Sequence, residues 1–212
     1  MKTHEGLPVL RDGVPLSRAE VVIILLHGRG GSGKDMLGLG RELATNRPKV
    51  ALLAPQAAGD TWYPQRFLEP LAQNEPFLTA ALGVVAETID EALVGHLARE
   101  RILLVGFSQG GCLALEFAVR HPHRYGAVVG LSGAVIGPPG QKRDLTGSLR
   151  GTPVFLGCGD MDPHIPVASV RESAALFRQL EAEVVERIYP QMPHTVNDDE
   201  ISIVADLVAR VS

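Results

Sequence analysis

Short runs of apolar, mostly β-branched residues alternate along this chain with longer stretches in which apolar residues recur every three or four positions. The short runs predict strands near Val21–Leu26, Val50–Ala54, Arg101–Gly106, Ala127–Leu131, Pro153–Gly157 and Val184–Tyr189, with one or two more before position 20. Leu78, Leu82, Val85, Ile89, Leu93 and Leu97 form one apolar stripe and predict a long helix. The same period runs through Val167, Val170, Ala174, Phe177 and Leu180. It returns in Val204, Leu207, Val208 and Val211, after the helix-start signal Asn197-Asp198-Asp199-Glu200. Strands buried on both faces and alternating with helices predict an α/β protein with a parallel sheet. Pro55–Pro76 and Ser132–Gly151 carry Gly, Pro and polar residues without a period and read as loops.

Length and composition narrow this picture. The chain has 212 residues, 45% hydrophobic and 21% charged, which suits one folded domain over positions 1–212 and excludes disorder and coiled coil. With Lys plus Arg at 20 against Asp plus Glu at 24, the net charge of −4 supplies no field for a polyanion, so nucleic acid is not expected as a partner. Cys112 and Cys158 are too few for a disulfide framework, and the N-terminal stretch lacks the apolar run of a signal peptide. No stretch reads as a membrane span, because the longest uncharged one is broken by Gly137-Pro138-Pro139-Gly140. A cytoplasmic protein is the expectation, with no oligomeric state read from the sequence.

Gly106-Phe107-Ser108-Gln109-Gly110 fits the pattern G-x-S-x-G. A buried-strand run precedes it, and Cys112-Leu-Ala-Leu-Glu-Phe-Ala-Val119 follows with no helix breaker. Glycines at 106 and 110 remove β-carbons that would clash in so sharp a turn, and the turn lifts the Ser108 hydroxyl clear of the sheet. A serine hydroxyl becomes a nucleophile only when a base takes its proton, and the base needs an acid to orient it. His194, just after the last strand, is the best placed of seven histidines. His121 and His123 read as a helix C-terminal cap and its flank, His164 lies nearer the acid, and His4 and His96 carry no partner signal. Asp160 and Asp162 both follow the strand that should supply the acid, and spacing does not choose between them.

His27-Gly28-Arg29-Gly30-Gly31 closes the first strong strand and offers a backbone donor for an oxyanion. With the amides of Arg29 and Gln109 as the pair, a tetrahedral intermediate would gain up to about 3–4 kcal/mol from each. His27 itself reads as a turn-fixing residue. Gly28-x4-Gly33-Lys34 also reproduces most of a phosphate-binding P-loop. It lacks the Ser or Thr that would hold magnesium, and Asp35 in that place reads as a helix cap. The alternatives to a hydrolase are therefore a P-loop-like nucleotide enzyme and a non-catalytic binding protein, which a missing catalytic residue would betray. Trp62-Tyr63-Pro64, in a loop leaving the C-terminal end of a strand, is a candidate wall for a substrate pocket.

LHGRGG, GFSQGG, GDMDPHIP and MPHT occur in this order, and with them the chain resembles the phospholipase/carboxylesterase family of small α/β-hydrolases, which includes the acyl-protein thioesterases. The resemblance spans about position 20 to the C-terminus. It implies the α/β-hydrolase fold, a mostly parallel central sheet with helices on both faces and no separate cap domain. It also implies a serine hydrolase of small-molecule esters or thioesters, of carboxylesterase, lysophospholipase or acyl-thioesterase type, with no metal and no cofactor. The family's nucleophile falls on Ser108, its base on His194, its acid on Asp162 and its oxyanion donors on Arg29 and Gln109. Two departures alter the site walls: Cys158-Gly159 where the family often has His-Gly, and Gln191-Met192-Pro193-His194 where it often has Gly-Met-Gly-His.

Overall fold

A computed structural model describes residue 4, residues 6–94 and residues 97–211 of the 212. Its strands are β1 (Val9–Gly13), β2 (Val21–Leu26), β3 (Val50–Pro55), β4 (Ile102–Phe107), β5 (Ala127–Leu131), β6 (Pro153–Gly159) and β7 (Glu183–Tyr189). They form one sheet in the order β1-β3-β2-β4-β5-β6-β7. β1 runs antiparallel to β3, with Val9 opposite Pro55, and every other pairing is parallel. Among the described residues one strand thus precedes position 20, and the other six fall on the predicted runs with ends moved by at most two residues.

The helices are α1 (Gly33–Leu43), α2 (Phe77–Val94), α3 (Gln109–Arg120), α4 (Val167–Gln179) and α5 (Asp198–Val211). All six residues of β2 are buried, and its alternate side chains enter two separate cores. Val22, Ile24 and Leu26 pack with residues of α2 and α3, in a core that continues to α4. Val21, Ile23 and Leu25 pack with Met36, Leu37 and Leu43 of α1 and Val204, Leu207 and Val208 of α5. The sheet is therefore covered on both faces, as expected of an α/β-hydrolase fold. Among the described residues, no helix is long and apolar enough to cross a membrane.

Two sequence expectations need correction. The apolar stripe of α2 overran the helix: α2 is described to Val94, and Leu97 lies in an irregular segment, half-buried on the same core. A side chain can join a core without sharing the helix whose period it continues. His96 lies outside the described residues. Asp35 is not the cap of α1 but its third residue. Ser32 is the N-cap; its hydroxyl accepts from the Asp35 amide at 3.2 Å, and the Asp35 carboxylate accepts from the Ser32 amide at 3.0 Å.

Chain order places the site. From β2 the chain moves to β3 on one side, and the later strands β4 to β7 build outward on the other. The crevice beyond the carboxyl ends of β2 and β4 is thus the switch point where such sheets hold ligands. The loop 27–32 leaves β2 there, and Ser108 leaves β4 beside it.

Candidate active site

Ser108 joins β4 to α3 with φ 55 and ψ −118, a backbone state that L-residues adopt only when the surroundings enforce it. Those surroundings are tight. A β-carbon at Gly106 would lie 2.1 Å from the Gly110 carbonyl oxygen, and one at Gly110 would lie 2.0 Å from that of Leu26. The Ser108 amide donates to the Leu131 carbonyl at 2.9 Å, and the Ser108 carbonyl accepts from Cys112 N–H at 2.9 Å. Strand, turn and helix are thereby locked together, with the hydroxyl pointing out of the sheet.

His194 comes from the loop between β7 and α5. Its Nε2 lies 2.8 Å from Ser108 Oγ and its Nδ1 lies 2.6 Å from Asp162 Oδ2. With the proton on Nδ1 donated to the carboxylate, Nε2 is left to accept the serine proton. The Asp162 side chain is wholly enclosed, and its Oδ1 accepts from the amides of His164 at 2.8 Å and Ile165 at 3.0 Å. Burial pushes this carboxyl up, but the His194 hydrogen bond and the two amides outweigh it and hold it below its ordinary value. Asp160 does something else: its Oδ1 accepts from Gln191 N–H at 2.7 Å and ties the loop after β6 to the one after β7.

Arg29 and Gln109 flank Ser108, and among the described residues neither amide hydrogen has a protein acceptor. Gly28 also lies against the elbow, since a β-carbon there would sit 3.3 Å from Ser108 Cβ. The Gln109 side chain has a role the sequence did not reveal. Its Oε1 accepts from Trp62 N–H at 2.9 Å and its Nε2 donates to the Tyr63 carbonyl at 2.8 Å, fastening the loop after β3 to the start of α3.

That loop forms one wall of a cavity of about 430 Å³ over Ser108. Tyr63, Phe67, Phe107, Cys112 and Ile165 supply its apolar surface. Trp62, expected beside Tyr63 in this wall, does not line it. The indole is fully buried behind the loop, donating to the His27 carbonyl at 2.8 Å and packed between the rings of His27 and His4. His4, which showed no partner signal, has two: its Nε2 bonds the Trp62 carbonyl at 2.8 Å, and its Nδ1 accepts from Ala58 N–H at 3.0 Å. The His27 ring likewise bonds the Gly28 carbonyl and accepts from Ala57 N–H, the turn-fixing role read from sequence. Burial lowers both histidines, consistent with neutral rings that each donate once and accept once. Phe67, Phe107 and Ile165 escaped the sequence reading because cavity lining leaves no period in irregular segments.

Both cysteines are free, and burial pushes each thiol up to about 12. They are therefore protonated and poor nucleophiles. Cys158 Sγ lies 3.7 Å from Asp162 Oδ2. The P-loop-like run does not form an anion cradle, because the first turn of α1 is occupied by the Ser32–Asp35 pair and Lys34 is exposed.

Comparison with known proteins agrees with this architecture. The family described as Phospholipase/Carboxylesterase matches residues 14–212. Acyl-protein thioesterase 1 of Saccharomyces cerevisiae is 28% identical over 222 residues, covering 95% of this chain and 97% of that protein. A crystal structure of a phospholipase/carboxylesterase from Dyadobacter fermentans superposes with a TM-score of 0.90 at 37% identity, covering 99% of both chains. The Bacillus cereus carboxylesterase, at 22% identity, shares the fold with a TM-score of 0.74 over 98% of this chain and 96% of that one. Strand order, serine elbow and near end-to-end similarity converge: this chain belongs to the phospholipase/carboxylesterase family of α/β-hydrolases, enzymes of esterase and thioesterase type.

Proposed function

We propose that this chain is a one-domain serine hydrolase, without a cap domain, that cleaves carboxylic esters or thioesters of small to medium acyl groups through Ser108, His194 and Asp162. The observation that carries the reading is the unbroken hydrogen-bonded path from Ser108 Oγ through both nitrogens of His194 to a buried, ionised Asp162, opening into an apolar-walled cavity. Ser108 Oγ attacks the carbonyl carbon while its proton passes to His194 Nε2. Asp162 stabilises the resulting imidazolium and holds the ring in its productive tautomer. The former carbonyl oxygen, now negative, accepts from the amides of Arg29 and Gln109. Collapse expels the alcohol or thiol, which takes the proton from His194 and leaves the acyl group on Ser108. Water, deprotonated by His194, then repeats the attack and releases the acid.

Tyr63 belongs to the substrate wall in this reading; Trp62 supports that wall from behind. A cavity of about 430 Å³ with apolar walls has room for a short or medium acyl chain. Two free, buried thiols fit a reducing, cytoplasmic setting. The test is a chromogenic ester series of increasing acyl length, run beside one thioester and one phosphate ester, on wild type and Ser108→Ala. Wild type should hydrolyse short esters and label with a fluorophosphonate; the variant should fold, stay unlabelled and lose turnover by orders of magnitude. Equal labelling of both proteins would overturn the assignment of Ser108.

A further inference from the structure

The wall of the catalytic cavity contains Arg29, Arg66, His164 and His194 and not one carboxylate. Asp162 is turned away behind His194 and fully enclosed. Six other arginines of the chain, Arg11, Arg41, Arg120, Arg143, Arg171 and Arg178, each reach a carboxylate. Among the described residues the other ten of the sixteen arginines reach none, Arg29 and Arg66 among them. Arg29 and Arg66 are the two of these ten that line the concavity where the reaction would occur.

Arg29 is held in place by two hydrogen bonds, and the exposed Arg66 makes one long one. Arg29 Nη2 donates to the carbonyls of Tyr63 at 2.9 Å and Gln65 at 2.8 Å, which uses both hydrogens of that nitrogen and leaves Nε–H and Nη1 to donate singly. Arg66 Nη2 extends toward the His164 carbonyl, 3.4 Å away, from the loop after β3 to the loop after β6. A cavity with apolar walls and cations of one sign at its rim concentrates field lines on an incoming anion. Arginine N–H groups make charge-assisted bonds to carboxylate and phosphate oxygens, from a free two-point edge at Arg66 and singly from Arg29. Because the Arg29 amide is also an oxyanion donor in the proposed reaction, its guanidinium lies one side chain away from the ester under attack.

We infer that this cavity selects esters carrying a second, anionic group, a carboxylate or phosphate a few bonds from the ester, which Arg29 and Arg66 hold at the rim. The inference rests on the ester hydrolysis proposed above. The anion would bind equally in ground and transition state, so the gain appears mainly in KM.

Paired substrates test it. para-Nitrophenyl hydrogen glutarate against para-nitrophenyl valerate places the charge on the acyl side. para-Butyryloxybenzoate against para-butyryloxybenzamide places it on the leaving side, and para-butyryloxyphenyl phosphate replaces carboxylate by phosphate there. In at least one pair, wild type should favour the anionic ester in kcat/KM by about tenfold, and high salt should erode that preference. Arg66→Gln should bring the ratio toward one and Arg66→Lys should keep part of it; Arg29→Gln, measured in parallel, should also lower it. The neutral ester reports in each protein whether folding and chemistry survive. An enzyme that turns over the neutral esters with no anionic preference in any pair overturns the inference and leaves the proposed function standing. A preference unchanged in both Arg66→Gln and Arg29→Gln overturns it as well. Failure to hydrolyse any ester removes the proposed function and this inference together.

Discussion

Replacing Glu200 with Gln should stabilise the protein above neutral pH and leave it nearly unchanged in mild acid. Glu200 stands in the first turn of α5 with its residue fully buried. Its Oε2 accepts from Asn197 N–H at 2.9 Å, and its own amide donates to Asn197 Oδ1 at 2.9 Å, a reciprocal cap. The other oxygen, Oε1, has no hydrogen-bond partner among the described residues and faces Gly157 of β6, where a β-carbon would come within 2.1 Å of it. Burial is the main force raising this carboxyl, Asn197 N–H lowers it and Asp199 raises it, and together they push it from 4.5 to about 7. The folded state therefore keeps a proton that the unfolded chain releases. Stability from this group is complete below about pH 4.5, falls as pH rises, and is lost once pH passes about 7. At about 1.4 kcal/mol per tenfold, with some screening, the loss comes to about 2–3 kcal/mol. Glutamine keeps the acceptor for Asn197 N–H and cannot ionise. Urea unfolding of both proteins between about pH 5 and about pH 8 isolates the effect, because other titrating groups, including the oppositely shifted Asp162, cancel in the difference. The gap should open toward alkaline pH by about 2–3 kcal/mol; parallel curves at all pH values would refute the reasoning.

Two further outcomes follow from the site. Asp162→Asn should lower turnover by up to about 10⁴ with little change in melting temperature, whereas Asp160→Asn should cost little chemistry, since its carboxylate bonds the Gln191 amide and not His194; a larger rate loss at 160 would reverse the assignment. Trp62→Phe should destabilise by about 1–3 kcal/mol, because the His27 carbonyl loses its buried donor, and should leave the acyl-length optimum in place; a shifted optimum at unchanged stability would put the indole in the pocket after all.

Much of this molecule can be read from its residues, and the boundary of legibility has physical causes. β2 and β4 announce themselves because strands buried on both faces are apolar at every position. The turn at Ser108 is legible because its geometry admits only glycine at two flanking positions. Asp160 and Asp162 are not separable by spacing, since both leave the same loop. What distinguishes them is which faces His194 and which faces Gln191, a relation between chain segments about thirty residues apart, and the family resemblance pointed to Asp162 where spacing could not. Trp62 misleads for a similar reason: an aromatic in a loop reads as a pocket wall until the rings of His4 and His27, far away in sequence, enclose it. Leu97 continues a helical period in a segment that is not helical, because burial and helicity are different constraints.

The two halves of Gln109 work on different things. Its amide faces the serine elbow, while its carboxamide latches the loop that walls the cavity. Efforts to broaden or swap substrate range by grafting the segment after β3 from another hydrolase would therefore separate a latch from its keeper. A transplanted loop needs backbone N–H and C=O groups where residues 62 and 63 present theirs, or residue 109 has to travel with it. Conversely, a random library at position 109 would scramble rate and selectivity together, and a screen could not attribute its winners to either. Diversity placed at Phe67 and Ile165, which line the cavity without touching this latch, should reshape acyl preference while leaving the latch and the elbow intact.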